Sequence, residues 1–144
     1  MKQAVLKRVD SIDWSKHSHP CMQDQGKIPE VFRDLVYGDE EIVFRAASNL
    51  WDITAHQGCV GSSSAELIPL LCEIYPLLSD KAQVEVLDTL YQYASSLSNG
   101  GEWVDQLEQA LLDHRPLFER ERSSSNEDIS SFCEMILDML NGEA

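Results

Sequence analysis

Hydrophobic positions along the chain recur at spacings of three and four, and no sustained run alternates at a period of two. In "KIPEVFRDLVYG" the residues Ile28, Val31, Phe32, Leu35 and Val36 form one stripe, with Pro29 suited to a first helical turn and Gly38 to a stop. "DEEIVFRAASNLWDITAHQG" follows at once. Asp39 is placed as an N-cap, acids fill the first turn where the helix dipole favours them, and Gly58 can close the element. Its predicted apolar stripe is Ile42, Val43, Ala46, Ala47, Leu50, Trp51 and Ile53. A second pair has the same layout. "SSSAELIPLLCEIYPLL" carries Leu67, Leu70, Leu71 and Ile74, and "SDKAQVEVLDTLYQYASSL" carries Val84, Leu87, Leu90, Tyr91 and Ala94 behind Ser79 or Asp80 as cap. "NGG" ends that pair. The third is less regular, because Pro116 should kink or break "EWVDQLEQALLDHRPLFERER". The last helix is capped by Ser125 or Asn126, with Phe132, Cys133, Ile136, Leu137 and Leu140 as its stripe. The pattern predicts an all-α domain over 1–144, with about six main helices.

The pairs resemble one another. At an offset of 40 residues, Ile28-Pro29 falls on Ile68-Pro69, Ala46-Ala47 on Val86-Leu87, and Leu50-Trp51 on Leu90-Tyr91. Apolar positions keep their type while Arg45 falls on Glu85 and Asp52 on Gln92. A stacked repeat behaves this way, since its core must match and its surface is free to drift. Two helices in about 40 residues is the length of a HEAT or armadillo unit. The expected architecture is a short HEAT/armadillo-like solenoid of about three antiparallel helix pairs. It divides into a pre-repeat segment (1–26), two regular pairs (27–98) and a divergent third pair (99–144).

The stretch Arg45-Ala46-Ala47, Leu50, His56-Gln57-Gly58 and Ile68-Pro69-Leu70-Leu71 resembles a group of small bacterial HEAT-repeat proteins. Their pattern is Ile/Val-Pro-x-Leu, a short turn with Asp, an Arg-x-x-Ala helix, His-Gln-Gly, and a helix opening near Pro-Phe-Leu. The resemblance covers roughly residues 27–94. The chain departs from it at Cys59, where Thr or Ser is usual, and at Gly61, where an aromatic is common. Some members of the group resemble immunity proteins, which neutralise toxins delivered between competing bacteria, contact-dependent growth inhibition toxins among them. The resemblance therefore implies a non-enzymatic toxin inhibitor that works in the cytoplasm.

Charge sharpens that expectation. Acids outnumber bases 25 to 11, a net charge of −14. The excess is uneven: residues 1–20 carry Lys2, Lys7, Arg8 and Lys16 against Asp10 and Asp13, and the rest is acidic. Such a field repels nucleic acid and anionic lipid. It attracts basic proteins and speeds their docking by about 10- to 1,000-fold at low salt. No apolar run reaches the length of a membrane span, and "MKQAVLKRVDSIDW" lacks the apolar core of a signal peptide.

Candidate chemistry is sparse. Four cysteines (Cys21, Cys59, Cys72, Cys133) stand far apart without a CxxC pair, which reads as buried or free thiols. In "DITAHQGCVGSSS" a His and a Cys lie three residues apart, but no further acid or base has an indicated place beside Cys59. A joint between two helices, with Ser62–Ser64 capping the next one, explains the stretch better than a nucleophile. His17, His19 and Cys21 are possible Zn²⁺ ligands without a fourth. The default there is an exposed loop, with no metal or cofactor. His114 reads as a surface residue, and Trp14, Trp51 and Trp103 read as core anchors. On the second helix of each pair, polar residues lie opposite the apolar stripe: Arg45, Ser48 and Asp52; Glu85, Asp88 and Gln92; Ser131, Glu134 and Asp138. Asp52, Glu85, Asp88, Gln92, Glu134 and Asp138 are the expected contacts to a cognate toxin domain, expected to be a basic nuclease or RNase. A general interaction scaffold is the alternative, and an enzyme built on such repeats is a more distant one.

Overall fold

The computed structural model describes residues 2–17, 24–55 and 60–142. The described residues are helical, without strands, and form eight α-helices: α1 (Lys2–Ser11), α2 (Ile28–Tyr37), α3 (Glu40–Ala55), α4 (Ser63–Ile74), α5 (Asp80–Ser96), α6 (Val104–Asp113), α7 (Arg115–Glu121) and α8 (Glu127–Leu140). The expected all-α fold class is therefore observed. No helix among the described residues is long and apolar enough to cross a membrane.

Local chemistry sets the boundaries. Asp39 caps α3 by accepting from the Ile42 N–H at 3.0 Å. Ser79 Oγ accepts from Ala82 N–H at the start of α5, and Asn126 Oδ1 accepts from both Asp128 and Ile129 N–H at the start of α8. Gly38 allows the tight passage from α2 to α3, because a Cβ there would overlap the Asp34 carbonyl and the Ile42 side chain. Gly100 and Gly101 take positive φ values of 68° and 125°, which makes the Asn99–Gly101 stretch a stop after α5. Pro116 sits in the first turn of α7, and the expected break falls at His114, between α6 and α7.

The helices pack in order. α2 lies on α3, α3 on α5, and α5 on α8, while α4 meets α6 and α7 meets α8. α3 and α5 run parallel. Glu40 reaches Lys81 near their starts at 2.5 Å, and Thr54 Oγ1 meets the Tyr93 hydroxyl at 2.6 Å near their ends. Thr54 donates its own proton to the Leu50 carbonyl, so Tyr93 donates to Thr54, and this buried contact ties the two helices polar group to polar group. Tyr91 on α5 and Phe132 on α8 sit with ring centroids 5.8 Å apart. Of the expected stripes, Leu50, Leu71, Leu87, Leu90, Ile136 and Leu137 are buried, while Phe132 and Leu140 are half-buried.

Four features differ from the expectation. First, the segment ahead of the repeat contains α1, which packs on both α2 and α4 and buries Val5, Leu6 and Val9. Ion pairs tie this segment to the rest of the molecule: Arg8 pairs with Glu73, Arg33 holds Asp10 at 2.8 Å, and His17 meets Glu66 at 2.5 Å. Second, Ile68-Pro69 does not open a helix as Ile28-Pro29 does. α4 begins at Ser63, and Pro69 lies inside it, giving up one backbone bond. Third, the stripe of α5 is wider than read: Val86 and Tyr93 are buried while Val84 and Tyr91 are half-buried, because α5 is covered by α3 on one side and α8 on the other. Fourth, Ile42 is 40 % exposed rather than part of the core stripe of α3. Of the three tryptophans, Trp14 is buried and donates to the Val9 carbonyl at 2.8 Å, and Trp103 packs half-buried on the core. Trp51 is half-buried.

Candidate protein-binding site

Because α3, α5 and α8 lie side by side, α3 and α5 in parallel, their first turns come together at one edge of the molecule. Between them lies a groove of about 970 Å³. Val43, Phe44 and Val84 give it an apolar floor, and Glu40, Glu41, Asp80, Glu85 and Asp128 give it an acidic rim with Lys81 and Asn126. Acids are enriched there for a local reason: first turns favour carboxylates that face the unpaired N–H groups. Stacking three such turns turns a helix-capping habit into a concentrated negative field.

The rim charges are not equivalent. Lys81 neutralises Glu40, and Arg45 holds Glu41 at 2.9 Å one helical turn on. Glu85 and Asp128 have no cation partner among the described residues. Partial burial pushes the Glu85 carboxyl above its ordinary range, and the negative charge of Asp88 adds to that. Asp88 in turn accepts from Gln92 Nε2 at 3.3 Å.

The apolar side of the edge is as unusual. The exposed large hydrophobic residues among those described are Tyr37, Ile42, Phe44 and Leu77. All four stand in or beside the α2–α3 and α4–α5 turns, which the Glu40–Lys81 bridge brings together. Phe44 is 60 % exposed and lines the groove. Apolar side chains grouped inside a charged rim are the usual anatomy of a protein-binding patch.

Of the residues expected as partner contacts, Glu85 lines this groove, and Asp88 and Gln92 continue along the same helix. Glu134 is exposed and Asp138 half-buried further along α8. Asp52 is set apart: it lines a separate depression with Asp24, Lys27, Val31, Asn49 and Ile53, on the side of α3 that faces α2. Sequence reasoning missed Phe44 and the rim acids Glu40, Glu41, Asp80 and Asp128. The available signal for Phe44 was an aromatic residue standing off its helix's apolar stripe.

The tempting chemistry elsewhere resolves differently. His19, Cys21, His56, Gln57, Gly58 and Cys59 lie outside the described residues. His17 commits both ring nitrogens, Nδ1 to Ser62 Oγ at 2.9 Å and Nε2 to Glu66 at 2.5 Å. His114 is half-buried and Nδ1 donates to the Ala110 carbonyl at 2.9 Å, closing the end of α6. Burial pushes the Cys72 and Cys133 thiols up to about 12, so neither supplies a thiolate at neutral pH. Among the described residues no three His, Cys, Asp or Glu side chains gather as a metal-ligand set. Compared with family models, curated proteins and solved structures, the chain matches none.

The position of Glu85 has a consequence that can be measured. Its carboxyl is harder to ionise in the folded protein than in the unfolded chain. The charge therefore opposes folding above the folded value and has no effect below the unfolded one. Replacing Glu85 with Gln is expected to raise the thermal midpoint at pH 7. The gain should shrink as pH falls and vanish below the ordinary value of 4.5. Calorimetric scans of both proteins across that range check the sign. A Gln variant that is less stable at pH 7 would contradict it.

Proposed function

We propose that this chain is an immunity-type protein that binds a cognate toxin in the cytoplasm and covers its working surface. On this reading the helix pairs form a HEAT-type solenoid, and the row of second helices presents its acidic edge to a basic toxin domain. The observation that carries the reading is the groove at the starts of α3, α5 and α8, with five carboxylates and one ammonium around an apolar floor. A toxin that cuts nucleic acid needs a basic surface to hold the phosphate backbone. A rigid array of carboxylates offers that surface an alternative counter-charge and blocks access. The net charge of −14 speeds the encounter, and the exposed apolar side chains at the edge slow the release. The same field disfavours nucleic acid and anionic membranes as ligands. The motif Arg45-Ala46-Ala47 with Ile68-Pro69-Leu70-Leu71 resembles a group of small bacterial HEAT-repeat proteins, some of which resemble immunity proteins, and supports the reading from the sequence side.

The test is co-expression with the product of the adjacent reading frame. The expected result is a stoichiometric complex on co-purification and survival of cells that otherwise die when that product is made. Cells that die equally with and without this chain, and no complex, would defeat the proposal.

A further inference from the structure

We infer that the groove is built to receive an arginine of the partner, its guanidinium stacked on the Phe44 ring and paired with the Glu85 carboxylate. This rests on the reading of the chain as a binding protein for a basic partner, and it names the chemistry that the groove selects.

Three observations carry it. Phe44 is an aromatic residue lining a groove whose rim is negative, and among the described residues it is the most exposed large hydrophobic one. Exposed apolar area alone would fit any hydrophobic partner. An aromatic face ringed by carboxylates fits a cation that also has a flat apolar surface. Next, the chain's own cations near the groove are already engaged: Lys81 with Glu40 and Arg45 with Glu41. They leave Glu85, beside Asp88, without a counter-charge. At the same edge Lys2 lies over the Tyr37 ring at 5.7 Å, so one aromatic residue there already holds a cation from within the chain. Among the described residues none lies over Phe44.

Arginine fits better than lysine. Glu85 is half-buried and stands partly out of water. A guanidinium is more weakly hydrated than an ammonium and loses less on entering such a place. It can also stack on a ring and donate to a carboxylate at the same time, which a lysine ammonium cannot do from one plane.

The experiment uses the full chain and two synthetic amphipathic helical peptides, identical except that one carries arginines and the other lysines on its polar face. Affinities are read by fluorescence anisotropy and the contact face by amide chemical-shift mapping. The arginine peptide is expected to bind at least about tenfold tighter, a gap of about 1.4 kcal/mol, with shifts centred on residues 40–45, 80–88 and 126–132. Phe44→Leu keeps apolar bulk at an exposed position but removes the ring, and is expected to abolish the preference. Glu85→Gln is expected to weaken both peptides and the arginine peptide more. Equal affinity for the two peptides overturns the inference, as does an arginine preference that survives Phe44→Leu. So do shifts on another face. Any of these results leaves the co-expression test of the toxin-binding reading standing, while failure of co-expression defeats that reading whichever peptide wins.

Discussion

Replacing Leu90 with Ala is expected to lower the unfolding free energy by about 2–5 kcal/mol. Leu90 is fully buried on α5, the helix that α3 and α8 both pack against. Removing its terminal carbons forfeits their transfer energy. It also leaves a cavity that cannot close, because Leu50, Leu87, Ile136 and Tyr93 belong to the same fully buried core. Urea titrations followed by circular dichroism would show the midpoint falling with an unchanged slope. Leu77→Ala is the matched control. Leu77 is 39 % exposed in the α4–α5 turn, and its loss should cost no more than about 0.5 kcal/mol. Similar costs for the two substitutions would show that α5 is not the centre of the fold.

The second large effect is on binding. If the chain binds a basic toxin domain as proposed, reversing two charges together, Glu85→Lys and Asp88→Lys, is expected to weaken that complex by about 2–5 kcal/mol. Two ammonium groups would then face the basic surface that two carboxylates had attracted, beside Lys81. The partial burial of Glu85 makes its charge less screened than that of an exposed residue such as Glu134. The salt dependence should change as well. Affinity of the native chain for a basic partner is expected to fall as salt rises, and the double variant should lose that slope or reverse it. Neither side chain belongs to the hydrophobic core, so helicity should hold, and circular dichroism checks that it does. Glu85→Gln separates stability from binding in one residue: it is expected to stabilise the free protein at pH 7 and to weaken the complex. A residue whose charge opposes folding while serving a partner has that signature.

Much of the fold was legible because one-sided helices advertise their buried face. The stripe of α2 was read correctly to the residue, whereas on α4 the expected Leu67, Leu70, Leu71 and Ile74 are joined by Ile68 and Cys72, because α1 and α6 both pack on that helix. Caps were legible for the same local reason: Asp39, Ser79 and Asn126 bond N–H groups two or three residues on, within the reach of any sequence window. α1 was hidden by composition, since Lys2, Lys7, Arg8 and Asp10 outnumber its three buried residues and its stability comes from α2 and α4. Val86 and Tyr93 were missed because a helix packed from two sides has no single stripe to find. Pro69 misled because the Ile-Pro match looked like a shared helix start, while α4 starts at Ser63, a turn and a half earlier, with Ser64 Oγ donating to the Gly61 carbonyl.

The site was half legible. Polar positions at spacings of three and four put Glu85, Asp88 and Gln92 along one side of α5, and of these Glu85 lines the groove while Gln92 bonds Asp88. What periodicity could not supply was the side-by-side stacking of α3, α5 and α8. That stacking gathers Glu40, Glu41, Asp80 and Asp128 around Glu85, and leaves Asp52 on the side facing α2. The exposure of Phe44 and Ile42 depends on the same stacking, because the first turn of α3 extends to the edge of the molecule.

On the proposed reading, a basic protein docks at the starts of α3, α5 and α8. Hydrogen exchange of the chain, free and in complex with the product of the adjacent reading frame, tests it most directly. Exchange is expected to slow in residues 40–48, 80–92 and 126–134, with α1, α4 and α6 unchanged. Protection confined to α1, α4 and α6, with the first turns of α3, α5 and α8 exchanging as in the free protein, would contradict it.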